Sequence, residues 1–249
     1  MKSNSLKNLR ALESLMKLNG MIPIYRRPLA LVAILSTPFS FLFFVDIFSN
    51  GTQLLAGSIG GLIFTMINAA TMLQSDLLFG KIDLKFQQMV STTGISPLTY
   101  VLGMASGDII FILPGAVFFL AAIIYLASAG IIAVLLILAS AFLTWLFFSL
   151  LSYLISRRVR EMREIWPISV IFGIVFAVLP PIYYSIYSIP VPVRYIAYLV
   201  PTTFAALIIK GAVAGSLVSV VIPMAIYALE TLGMIFFATR VSDWRQKNI

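Results

Sequence analysis

From Ile131 to Ile155 the chain carries no charged side chain, and a helix of that length covers more than the ~30 Å hydrocarbon core of a bilayer. Five further stretches are apolar over comparable lengths: Leu29–Phe48, Leu54–Leu73, Leu98–Leu126, Ile165–Ser188 and Ser216–Thr239. A soluble domain carries about a quarter charged residues, whereas 10% of these 249 residues are charged and 61% are apolar or aromatic. Too little polar surface is left to cover a water-soluble globule. The expected fold is therefore all-α and integral to a membrane, with six transmembrane helices in one domain over residues 29–249. Residues 1–28 are polar and basic. They read as a cytoplasmic connecting helix rather than a secretory signal, because the apolar stretch that follows is too long for a signal core.

The basic residues set the orientation. Segments 1–28, 75–97, 157–164 and 240–249 hold 15 of the 17 Lys and Arg, leaving only Arg194 and Lys210 for the other side. The positive-inside rule then puts both termini in the cytoplasm of a cell membrane. The formal charge of +8 follows from this topology and from attraction to anionic membrane lipid. Four short basic segments with no continuous stripe do not make a nucleic-acid surface. Tyr195–Ile209 is apolar but reaches only about 22 Å as a helix, too short to span. It is expected as a re-entrant or interfacial hairpin on the outer side, with Pro190, Pro192 and Pro201 breaking helix there. The tyrosines around it, Tyr183, Tyr184, Tyr187, Tyr195 and Tyr198, are expected as headgroup anchors.

Leu6, Leu9, Leu12 and Met16 share one helical face, opposite Lys7, Arg10, Ser14 and Lys17. That is the pattern of an amphipathic helix lying in an interface or against a partner. Gly20 and Pro23 are expected to end it, ahead of Arg26-Arg27-Pro28 at the mouth of the first span. The loop from Ser75 to Pro97 is longer than a tight connection needs. Its start reads as helix continuing from Asp76, its middle keeps Leu84, Phe86 and Met89 among Lys85, Gln87 and Gln88, and Thr92–Pro97 reads as the turn that launches the next span. A short helix standing out of a membrane is a docking device. Arg157–Glu164 reads as a solvated turn with ion pairs worth little.

In this order the elements resemble the permease subunits of type-2 (type V) ABC exporters over nearly the whole chain. The resemblance rests on the amphipathic helix ending in Tyr25-Arg26-Arg27-Pro28 and on the first-loop run Asp76-x-x-x-Gly80-Lys81-x-Asp83. It is completed by Ser91-Thr92-Thr93-x-x-Ser96-Pro97, Gly103 and Gly107, and the late Leu199-Val200-Pro201-Thr202-Thr203-Phe204-Ala205. Many relatives have a more strongly charged coupling loop; here Gly80 is followed by Lys81. The resemblance implies that Asp76, Gly80, Lys81, Asp83, Phe86 and Met89 belong to the region that couples to an ATPase, and that the late Pro-Thr segment is an outer re-entrant hairpin. It also implies an ATP-binding cassette subunit as partner and a second permease copy or a homologous permease.

The sequence also limits the chemistry. It contains no His and no Cys, which removes His-based triads, Cys nucleophiles and Cys/His metal sites. It has no Gly-x-x-x-x-Gly-Lys-Ser/Thr phosphate loop, so this chain is expected to be a transport subunit and not an enzyme. It is expected to bind no cofactor or metal of its own, with ATP and Mg on the partner. Asp46, Asp108 and Glu230 fall in or beside apolar spans, where charge is costly. Only Glu230 is near mid-span, and it reads either as a structural acid or as a proton-coupling or substrate contact. Thr65 and Asn68 make a polar stripe on the second span and are the other candidates for the substrate pathway. Gly57-x-x-x-Gly61 and Gly103-x-x-x-Gly107 offer close-approach surfaces within one chain or between two. The functional expectation is an ATP-driven exporter of an apolar or amphipathic cargo, such as a drug-like molecule or lipid. The alternative is a secondary transporter working through Glu230 and Asp108.

Overall fold

The computed structural model describes residues 2–22, 29–82 and 84–240. Tyr25, Arg26-Arg27-Pro28, Asp83 and the tail beyond Arg240 lie outside the described residues. Among those described, every regular element is helical and there is no strand. The α-helices in order are α1 (Lys2–Met16), α2 (Leu29–Phe48), α3 (Leu54–Ile82), α4 (Phe86–Thr92), α5 (Pro97–Ala127), α6 (Ile131–Arg158), α7 (Ile165–Gly173), α8 (Val191–Ala197), α9 (Pro201–Val213) and α10 (Leu217–Arg240). Helices α3, α5, α6 and α10 are each long and apolar enough to cross a membrane. The pair α8 and α9 is bent by 99° at its break and makes a fifth crossing if counted as one broken span, while α2 contributes the shorter apolar helix Leu35–Phe48. The protein is an all-helical, membrane-embedded bundle.

Helix α3 is the axis. Of its most apolar window 72% is buried, against 17% for α10, and it is enclosed by α2, α5, α6, α7 and α9. Its sequence permits this because glycines let neighbouring helices approach closely. A Cβ on Gly57 would stand 2.9 Å from Cδ1 of Leu42, while the rings of Tyr183 and Phe119 lie directly over Gly60 and Gly61. The Gly57-x-x-x-Gly61 surface is thus occupied from within the chain. Aromatic pairs fill the same layer: Phe39 meets Phe119 at 5.0 Å between ring centroids, and Phe41 stacks on Tyr183 at 5.5 Å.

Several expectations from sequence change here. The stretch Ile165–Ser188 is not one helix: α7 widens into a π turn over Ile174–Val178 and ends before Pro180-Pro181. Pro181 lacks an N–H, and Pro180 is followed by a turn in which Ile182 N donates to Pro180 O at 2.7 Å. Pro192 and Pro201 sit at the first positions of α8 and α9, so they begin helices where their missing N–H costs nothing. Tyr183 is a core residue at 8% exposure, whereas Tyr187 and Tyr195 are 77% and 70% exposed, so the tyrosine belt is divided. Gly20 does not end the N-terminal helix, which continues as a π turn over Lys17–Met21.

Candidate functional site

The functional candidates from the first loop gather at one end of the bundle, where α1, the end of α3, α4 and the α6–α7 connection meet. Helix α1 packs along α5, and the residue it buries there is Leu15, which the leucine spacing did not include. Leu15 is buried and Leu12 half-buried, whereas Leu9 is 67% exposed. The reason lies on α5: Gly103 and Gly107 make a smooth groove. A Cβ at Gly103 would meet Leu15 Cβ at 2.8 Å, and one at Gly107 would meet Asn19 Cβ and the Gly20 nitrogen, each at 2.8 Å. The side of α1 that carries Leu15 and Asn19 therefore faces the bundle, leaving Leu9 on an outer flank beside the polar face of Arg10, Glu13 and Lys17.

That contact is polar at its end. Asn19 Nδ2 donates to Asp108 Oδ1 at 2.8 Å and to the Met104 carbonyl at 3.1 Å. Asp76 of α3 lies beside the same pair, while Asp108 Oδ2 has no hydrogen-bond partner. Asp108 is fully buried. A buried polar group is costly without a partner, and Asn19 supplies one for Oδ1. It also fastens α1 to α5. Asp76 is half-buried and sits toward this pair.

Lys81, one residue before the end of α3, reaches across to α6. Its Nζ donates to the carbonyls of Arg157 and Val159 at 3.1 Å each and to that of Ser156 at 3.4 Å. These are carbonyls that a helix leaves unpaired at its C-terminus, where a cation is also favoured. The lysine therefore binds the two loops at this end to each other.

Between Lys81 and α5 stands α4. It is preceded by Lys85, whose φ of 50° is left-handed, and its turn-out at Gly94 has φ 76°. Phe86 is half-buried with its ring 6.3 Å from that of Tyr100, and Val90, one turn on, is buried. Gly80 lies under this layer, 3.4 Å from the Tyr100 hydroxyl when given a Cβ. On the other face Met89 is 60% exposed and Leu84 56%. The structure thus separates the two apolar residues of the loop helix: Phe86 anchors it and Met89 is presented outward. Ser96 caps α5 by accepting from Thr99 N at 3.1 Å, with Pro97 at its first position, as the sequence turn implies.

The pathway candidates are not assembled into one site. Thr65 is buried but its hydroxyl donates at 2.7 Å to the Gly61 carbonyl of its own helix, and Asn68 is half-buried on the same helix. Glu230 lies on α10, which packs chiefly against α9 and α6. It is half-buried, one turn from the fully buried Tyr227, and its Oε2 has no hydrogen-bond partner. Among the described residues no group of three or more acidic side chains could hold a metal.

At the opposite end, the two basic residues that fall outside the main charge pattern hold one irregular segment. Arg194 Nη2 donates to the carbonyls of Tyr187 and Ile189 at 3.3 and 3.1 Å, and its guanidinium lies 5.2 Å over the Tyr187 ring. Lys210 Nζ donates to those of Pro181 and Tyr184. Asn19, Tyr100 and these two cations were not marked as site residues by the sequence. The available signal was an Asn among charged neighbours beside a glycine, and two cations set against the charge rule. Comparison with known proteins gives no matching family model, no matching curated protein and no matching solved structure.

Proposed function

We propose that this chain is the membrane-spanning permease subunit of an ATP-driven exporter, driven by a separate ATP-binding subunit and paired with a second permease. Six crossings, with α8 and α9 as a re-entrant pair, and both termini in the cytoplasm complete the reading. The observation that carries it is the construction of the end that holds the basic segments. There α1, α4 and the α6–α7 loop are fastened to the long helices α3 and α5 through Asn19–Asp108 and Lys81, with Met89 standing outward. A platform of this kind can pass a push on the loops into the long helices, because tied rigid elements shift together. These 249 residues contain no phosphate loop, and on this reading the push comes from the ATP-binding subunit.

The alternative, a secondary transporter, draws support from the unpaired Oε2 of Glu230. The discriminating experiment is transport by reconstituted vesicles with ATP held constant. Export that needs the ATPase and survives an uncoupler supports the exporter. Export that collapses with the uncoupler supports the alternative. Reporter fusions after Lys210 and Lys247 test the crossings: the reading requires the first outside and the second inside.

A further inference from the structure

Lys210 donates to Pro181 O at 2.9 Å and to Tyr184 O at 2.6 Å. An ammonium has three N–H donors, so one donor and the whole charge remain. The ion pairs among the described residues are Lys17–Glu13 and Arg163–Glu161, and no carboxylate lines the space beside Lys210. That space is a cleft of about 520 Å3 between α3, α9, the start of α10 and the segment after α7. Gln53 brings an amide to it, Thr52 and Ser219 bring hydroxyls that are bonded to Ser49 O and Ser216 Oγ at 2.7 Å each, and Ile59 and Leu207 give it an apolar wall. Arg194, the other cation at this end, differs in that its charge is laid over the Tyr187 ring.

We propose that this cleft binds the anionic headgroup of an amphiphile, with Lys210 as the charge partner, the Gln53 amide as a further donor, and Ile59 and Leu207 against the acyl chain. A cation without a counter-charge, set between hydrogen-bonding groups and an apolar wall, is complementary to that chemistry. A lipid of the surrounding bilayer and an acidic amphiphile carried as cargo share it. The inference uses the membrane-embedded fold but not the ATP-driven reading, and its test measures binding, so either can fail without the other.

The test uses the full chain in nanodiscs of zwitterionic lipid, titrated with a fluorescent dodecyl phosphate and with its phosphocholine counterpart. The wild type should prefer the phosphate by about tenfold, a difference of about 1.4 kcal/mol. Lys210→Arg should keep the preference and Lys210→Met should remove it. Since Lys210→Met also releases the carbonyls of Pro181 and Tyr184, a second variant leaves the lysine in place: Ala56→Phe, which fills the cleft, should weaken both probes. Adding phosphatidylglycerol to the nanodisc separates the sources: displacement of the probe identifies a bilayer lipid as occupant, and retention identifies a distinct cargo of the same chemistry. Equal affinity of the wild type for the two headgroups, a preference that survives in Lys210→Met, or unchanged binding in Ala56→Phe would each overturn the proposal.

Discussion

Asn19 and Asp108, 89 residues apart in the chain, are joined by a hydrogen bond of 2.8 Å that fixes the N-terminal helix to α5. Because Asp108 is fully buried, removing the donor does more than loosen a helix. It leaves the Asp108 carboxyl oxygen without its Asn19 donor, at about 1–3 kcal/mol. Asn19→Ala should therefore lower the melting temperature of the detergent-solubilised protein by several degrees and expose α1 to protease. An unchanged melting temperature with unchanged cleavage would show that α1 is held by other contacts.

The groove under that bond gives a sharper pair. At Gly107 an added methyl meets backbone, the Gly20 nitrogen at 2.8 Å, whereas at Gly233 it meets nothing within 4 Å. Gly107→Ala must push α1 away and should cost about 1–3 kcal/mol. Gly233→Ala, in the interior of α10, should be neutral or stabilising by up to about 1 kcal/mol from helix propensity alone. Thermal unfolding of the two single variants beside the wild type checks both signs, and equal melting temperatures would refute the close approach.

Much of this was readable in the sequence, and the parts that were not share a cause. The long apolar runs, the helix continuing past Asp76, the short helical middle of the first loop and the turn at Ser96-Pro97 all follow from local composition, and the structure has them at or near those residues. The packing face of α1 depends on a glycine groove some 90 residues away, so spacing within α1 alone could mark an apolar face for an interface but could not show that Leu15 is the residue buried against α5. The end of α7 falls at Pro180-Pro181, a pair that marks a kink in the sequence but does not by itself tell a bent span from a helix that stops. Asp76 and Lys81 were singled out as partner contacts from the loop pattern. What each touches is set by helix packing: Asp76 meets Asp108, and Lys81 meets the end of α6.

Lys81 offers a test of that tie. Lys81→Met keeps the length and apolar stem but withdraws the donors from the carbonyls of Arg157 and Val159, so amide hydrogen exchange over residues 155–165 should speed up. Lys81→Arg retains donors and charge and should stay near the wild type. Equal exchange in all three proteins would show that the end of α6 is stable without this lysine.

The two faces of α4 should separate stability from partner binding. Phe86 packs toward Tyr100 with Val90 beneath it, so Phe86→Ser removes buried apolar surface from the bundle and should cost about 2 kcal/mol of stability. Met89 is 60% exposed, so Met89→Ser should change the melting temperature far less than Phe86→Ser. If α4 is the element that enters an apolar cleft on the ATPase, Met89 is the residue that enters first, and its loss should reduce co-purification of the ATPase by about tenfold. The measurement is ATPase recovered per inserted permease, with the melting temperature of each variant taken in parallel. A Phe86→Ser protein as stable as the wild type would contradict the packing. A Met89→Ser protein that holds and stimulates its ATPase normally would remove α4 from the coupling surface, and with it the main mechanical support for the exporter reading.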